Sequence, residues 1–102
     1  MLNTAYEKQD DRLTVKPEGH LDTATSPVLE AELKQHLDGI REVTLDCTDL
    51  DYISSAGLRV LLATEQRMED CGGSLRLIHV NESILEIFEL VGFMDIVKVE
   101  ES

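Results

Sequence analysis

Ser54 and Ser55 stand side by side ahead of Ala56-Gly57-Leu58, where Asp49-Leu-Asp-Tyr-Ile gives way to an amphipathic run. A loop ending in paired serines at a helix start brings two hydroxyls to unpaired backbone N–H groups and to the positive end of a helix dipole. That setting suits an anion, including a phosphoryl group carried by one of the serines. Two readings compete. In the first, Ser54 caps the helix and Ser55 is a small polar residue in its first turn, since serine is a preferred N-cap. In the second, one serine caps and the other points outward as a phosphoacceptor. Gly57 bears on the choice. A glycine in a first helical turn costs roughly 0.5–1 kcal/mol relative to alanine. Close approach by a partner would offset that cost, and so would tight packing against a neighbouring strand.

Other groups of reactive residues carry less. Gly72-Gly73-Ser74 leads into a strand and is followed by no Gly-Lys-Ser/Thr, so it is not a phosphate-binding loop. No Gly-x-Ser-x-Gly elbow occurs. His20, His36 and His79 lie at unrelated spacings. His36 falls on a predicted helix and His79 in a predicted strand, and solvated or structurally hydrogen-bonded roles are expected for all three. Cys47 and Cys71 are too few and too far apart for a zinc site or a redox pair, and both read as buried reduced thiols. The carboxylates are mainly a solvated surface, with Asp22, Asp49 and Asp51 at predicted element ends. No cofactor or metal is expected.

The elements that would position the serines can be read in turn. Residues 5–9 and 12–18 flank Asp10-Asp11 as two short strands around a turn. Pro17 is expected near a strand end or on an edge. Ser26-Pro27 predicts a helix with Ser26 as N-cap, and Leu29, Leu33 and Leu37 give it a buried stripe ending at Asp38-Gly39. Residues 43–47 form a short strand. The helix from Ser55 carries Leu58, Leu61, Leu62 and Met68 inward and stops at Cys71-Gly72-Gly73. Residues 75–80 predict a central strand. Asn81 caps a third helix with Ile84, Leu85, Phe88 and Val91 inward and Gly92 as its stop. Residues 96–99 are a last strand. The order β-β-α-β-α-β-α-β predicts an α/β fold: one domain over residues 1–102, a mixed sheet of four to five strands, and helices mainly on one face.

Composition sets limits on function. The 102 residues are 42% hydrophobic and 29% charged, an ordinary globular mix. A formal net charge of −12 disfavours nucleic acid and anionic lipid and favours a partner with a neutral or basic face. No apolar run approaches the roughly 20 residues of a membrane span. Met1-Leu-Asn-Thr-Ala-Tyr-Glu-Lys lacks a basic start and an apolar core, so no signal peptide is expected and a cytoplasmic location is.

The stretch Tyr52-Ile-Ser-Ser-Ala-Gly-Leu-Arg-Val-Leu-Leu resembles the signature of bacterial anti-sigma factor antagonists of the STAS domain family. Gly19-His-Leu-Asp-Thr-Ala-Thr resembles the family's Gly-x-Leu-Asp segment before the first helix, and the resemblance covers essentially the whole chain. It implies phosphorylation at Ser55, two positions before Gly57. Ser54 replaces a frequent Asp and Ala56 a frequent Ser or Thr, which leaves Ser54 as the alternate acceptor. It implies that Asp22 lies beside the phosphorylation loop, orienting the acceptor or contacting the kinase. A partner surface of Asp22, Thr23, Ser54, Ser55, Ala56, Gly57 and Leu58 follows.

The same resemblance implies partner switching and no catalysis by the domain itself. The unmodified form binds an anti-sigma factor that is also a serine kinase of the GHKL type, and the sigma factor is freed. The kinase, using its own ATP and magnesium, phosphorylates the serine and the complex dissociates. A serine phosphatase resets it, and the free domain is expected to be a monomer. The alternative is a non-switching structural STAS subunit of a sensory or transport assembly, with both serines as caps. A small enzyme or phosphoacceptor receiver is disfavoured, because no cluster of carboxylates with a lysine is placed at strand ends.

Overall fold

Alternation of apolar and polar residues along Arg12–Leu21 builds the strand that organises the sheet. The computed structural model describes residues 2–100. In chain order the elements are β1 (Leu2–Gln9), β2 (Arg12–Leu21), α1 (Ser26–His36), β3 (Glu42–Asp46), β4 (Leu50–Ile53), α2 (Ser55–Asp70), β5 (Ser74–Ile78), α3 (Glu82–Leu90), a 3-10 turn (Phe93–Asp95) and β6 (Lys98–Val99). The sheet runs β1-β2-β3-β5-β6, and β4 also pairs with β2. Only β1 is antiparallel to its neighbour; the other pairings are parallel. Asp10, at φ 57°, turns the chain between β1 and β2.

One edge of β2 is shared by two partners. Arg12–Val15 pair with β3, and Gly19–Leu21 pair with β4. Pro17 sits in the gap between them, opposite Thr4 of β1. The Gly19 N–H reaches Asp49 O at 3.0 Å, so by the two-residue period the Pro17 nitrogen faces the same side. There no ladder partner is waiting, and the missing N–H costs no hydrogen bond. Pro17 is therefore interior to an inner strand, where a strand end or an edge was expected.

Leu13, Val15, Leu21, Val43, Leu45, Leu75 and Leu77 form one face of the sheet, each 2% exposed or less. They join Leu29 and Leu33 of α1, Leu58, Leu61 and Met68 of α2, and Ile84 and Phe88 of α3 in one core. The opposite face is polar: Arg12 pairs with Glu42 at 3.0 Å, and Arg76 Nε donates to Thr44 Oγ1 at 3.1 Å. The fold is thus the expected α/β domain with a mixed sheet and its helices mainly on one face, with six strands where four to five were expected, because β4 adds to the far half of β2.

Several local expectations are corrected. Residues 50–53, read as loop, form β4. Ser26 is not the cap: it is buried in the first turn of α1, and its hydroxyl donates to Asp22 O at 2.5 Å, with Thr25 before it. Val91 is 56% exposed because α3 ends at Leu90. Gly92, at φ 72°, then turns the chain so that Phe93 packs on Phe88 at 4.6 Å between ring centroids. His79 lies just beyond β5 at φ 57°. Cys71 is exposed, whereas Cys47 is buried as expected.

Candidate functional site at the carboxyl edge of the sheet

Parallel pairing places the C-terminal ends of β2, β3, β4 and β5 along one edge. Leu21 lies opposite Ile53 in the β2–β4 register, and the Ser54 N–H donates to Leu21 O at 2.8 Å. Two turns separated by more than thirty residues in sequence, one beginning at Asp22 and one at Ser54, are thereby neighbours.

The two serines have different tasks. Ser54 is extended (φ −98°, ψ 175°), and its hydroxyl accepts from the Gly57 N–H at 3.4 Å. Its carbonyl accepts from the Leu58 N–H at 3.0 Å. Ser54 is the N-cap. Ser55 is the first residue of α2 and is exposed. Its hydroxyl has no hydrogen-bond partner among the described residues.

Ala56 is half-buried, while Gly57 and Leu58 are buried. A Cβ on Gly57 would lie 2.8 Å from Ile53 Cγ1 and 2.8 Å from Leu21 Cγ. Packing against β2 and β4 therefore accounts for this glycine, and close approach by a partner is not needed to explain it. Gly57 and Leu58 set the seat of the helix and offer little outward surface.

Asp22 is a turn-builder. Its Oδ1 accepts from the N–H groups of Thr25 at 2.9 Å and Ala24 at 3.0 Å, and from the Thr25 hydroxyl at 3.1 Å. The Thr25 N–H, with smaller help from the other donors, holds this carboxyl below the usual carboxylate range. Thr23, at the tip of the turn, is exposed. Thr25 and Ser26, which the sequence reading did not assign to the site, are what rigidify the turn.

A second cluster occupies the same edge. Asp46 Oδ1 meets His79 Nδ1 and the Thr48 hydroxyl at 3.1 and 2.5 Å, and Thr48 Oγ1 lies 3.1 Å from His79 Nδ1. Desolvation of Asp46 is outweighed by bonds from Thr48 and His79, which lower its pKa. Beyond it, Asn81 caps α3 by accepting from the Ile84 N–H at 3.0 Å and donates to Leu50 O at 3.0 Å. These contacts tie the β3–β4 connection and the start of β4 to the segment that follows β5. The links from His79 to Asp46 and Thr48 and from Asn81 to Leu50 join residues too distant in sequence for spacing to have revealed them.

Burial, helped by the charge of Asp46, raises the Cys47 thiol to about 12 and keeps it protonated. Among the described residues no group of three or more His, Cys, Asp or Glu is placed to hold a metal ion. No described helix is long and apolar enough to cross a membrane.

A mixed-sheet domain that presents one uncommitted serine at a helix start, with its neighbour serving as cap, defines a class. The chain belongs to the STAS domain family, whose model matches residues 3–102. It is 40% identical over 102 residues to BtrV of Bordetella bronchiseptica, named as an anti-sigma factor antagonist, covering 99% of this chain and 88% of that one. The fold is also that of the Thermotoga maritima protein TM1081, with a TM-score of 0.89, 21% identity, and coverage of 97% and 86% of the two chains. The Bacillus cell fate determinant SpoIIAA in its phosphorylated form has the same fold, with a TM-score of 0.77, 14% identity, and coverage of 98% and 91%.

Proposed function

We propose that this domain is an anti-sigma factor antagonist that works by partner switching, with Ser55 as the phosphoacceptor. One observation carries the reading: Ser54 alone makes the capping bond, and the exposed Ser55 hydroxyl is uncommitted. The name of the relative BtrV and the existence of a phosphorylated SpoIIAA on the same fold support it. Ser55 with the Asp22–Thr23 turn forms the centre of the docking surface. The partner is an anti-sigma factor that is also a serine kinase of the GHKL type, and a serine phosphatase restores the hydroxyl. ATP and magnesium belong to the kinase; the domain contributes a substrate hydroxyl and a surface, and acts in the cytoplasm as a monomer when free. A non-switching subunit would use both serines as caps, and the geometry gives that work to Ser54.

The switch follows from charge. A phosphate adds about −1.5 to −2 charge at pH 7. At a desolvated interface that charge must be stripped of water and meets groups selected for a neutral hydroxyl, so binding weakens. The test is incubation with the candidate kinase and ATP–magnesium, followed by intact-mass and tandem mass spectrometry. Phosphate on Ser55 and no phosphorylation of Ser55→Ala are expected. Phosphate on Ser54 alone would move the acceptor. Calorimetry on folded Ser55→Ala and Ser55→Asp should show near-normal binding by the first and weakened binding by the second. Equal binding by both would remove the charge switch.

A further inference from the structure

Arg59 lies four residues beyond Ser55 on α2, and residues four apart share a helix face. Both side chains are exposed. Helical side chains lean toward the N-terminus, so a side chain as long as that at 59 has the reach to bend back toward the turn that holds Ser55. Arg59 takes part in none of the ion pairs among the described residues, although carboxylates outnumber cations in the chain by 21 to 9.

The surroundings explain why it stays free. The first turn of α2 has no acidic residue, and Ala56, Leu62 and Ala63 occupy the other positions adjoining Arg59 on the helix surface. Beside the start of α2, the Asp22 carboxylate turns its Oδ1 to the Ala24 and Thr25 donors and forms no ion pair with Arg59. Glu30 of α1 pairs with Lys34 at 3.7 Å. Asp51 of β4 is exposed, and the ring of His20 sits edge-on to Tyr52. A phosphoryl group on Ser55 would be the strong anion on Arg59's own helix face.

We propose that Arg59 is the intramolecular holder of a phosphoryl group on Ser55, free in the unmodified domain and closed onto the phosphate in the modified one. The proposal rests on the reading of Ser55 as acceptor. No bond is made or broken: guanidinium N–H groups donate to phosphate oxygens, a geometry that arginine matches with two parallel bonds. The pairing fixes the direction of the new charge.

The test uses the full chain with phosphoserine installed at position 55 during synthesis, so it does not depend on any kinase. The second ionisation of the phosphate, ordinarily near pH 6, is followed by phosphorus NMR in the parent, Arg59→Gln and Arg59→Lys. Arg59→Gln keeps much of the stem and removes the charge. It should raise this pKa by about 0.3 unit, the size expected of an i,i+4 ion pair. Arg59→Lys should recover most of the difference. The unmodified variants should melt like the parent. Identical titration of the parent and Arg59→Gln would overturn the proposal, as would equal shifts in Arg59→Gln and Arg59→Lys. Failure of every kinase to modify Ser55 would defeat the functional reading and leave this titration intact.

Discussion

Gly57 shows how a single missing Cβ sets the site. Alanine there would gain about 0.8–1 kcal/mol of helix propensity. Against that gain stand Ile53 Cγ1 and Leu21 Cγ at 2.8 Å, on side chains 2% and 0% exposed. Overpacking a close-packed core costs roughly 1–3 kcal/mol. Gly57→Ala should therefore lower stability by about 0–2 kcal/mol, the difference of those terms. Urea denaturation reads this as a lower midpoint at unchanged slope; a raised midpoint would show that packing does not hold this glycine. At this scale the sequence was informative where chemistry is local. Serine before a helix, two residues from a glycine, pointed to the candidate site. The division of labour between Ser54 and Ser55 depends on which hydroxyl meets the Gly57 N–H, and that became visible only with backbone angles. Asp22 was placed at the site by resemblance; that its Oδ1 is engaged by Thr25 and Ala24 could not be seen without the turn.

A cap is decided within four residues, which made Asn81 readable, although Ser26, read as a cap, lies inside the first turn of α1 behind Thr25. Asn81 was found, yet half of its work was hidden. It caps α3 and also donates to Leu50 O, across 31 residues. A nine-residue helix is marginal by itself and depends on its cap and its buried face. Asn81→Ala should cost about 1–2 kcal/mol, since it loses two hydrogen bonds. Ser54→Ala loses one long bond of 3.4 Å and should cost about 0.5 kcal/mol. Denaturant midpoints should rank Asn81→Ala below Ser54→Ala, and the reverse order would mean that the link to Leu50 contributes nothing. The elements that escaped the sequence depend on distant pairing. In β4 the end residues Leu50 and Ile53 are buried and the middle pair exposed, so no two-residue alternation marks it as a strand. Its partner is the far half of β2. Val91 was assigned inward by the helical period, but α3 stops one residue earlier and Phe93 takes the core position after the Gly92 turn.

The whole molecule carries a charge of −12 within extents of 32 × 28 × 23 Å. At 0.01 M salt the Debye length is about 30 Å, so every charge interacts with every other; at 0.15 M it is about 8 Å. Compaction brings the excess carboxylates together, and the folded state bears more of that repulsion than the expanded chain. The exposed ion pairs act in the opposite sense. Arg12–Glu42, Lys16–Asp49, Lys34–Glu30 and Arg76–Glu100 all lie at the surface, where such a pair contributes about 0.2–1 kcal/mol and is itself screened. Four attractive contacts engage four carboxylates and leave the net charge unchanged. Repulsion should therefore dominate, and added salt should stabilise. Raising sodium chloride from 0.01 to 0.15 M should raise the melting temperature, and a gain of only 1 kcal/mol would move it by about 4–8 °C for a domain of this size. A melting temperature that stays level or falls over that range would show that the surface ion pairs, not the acidic excess, govern the stability of this chain.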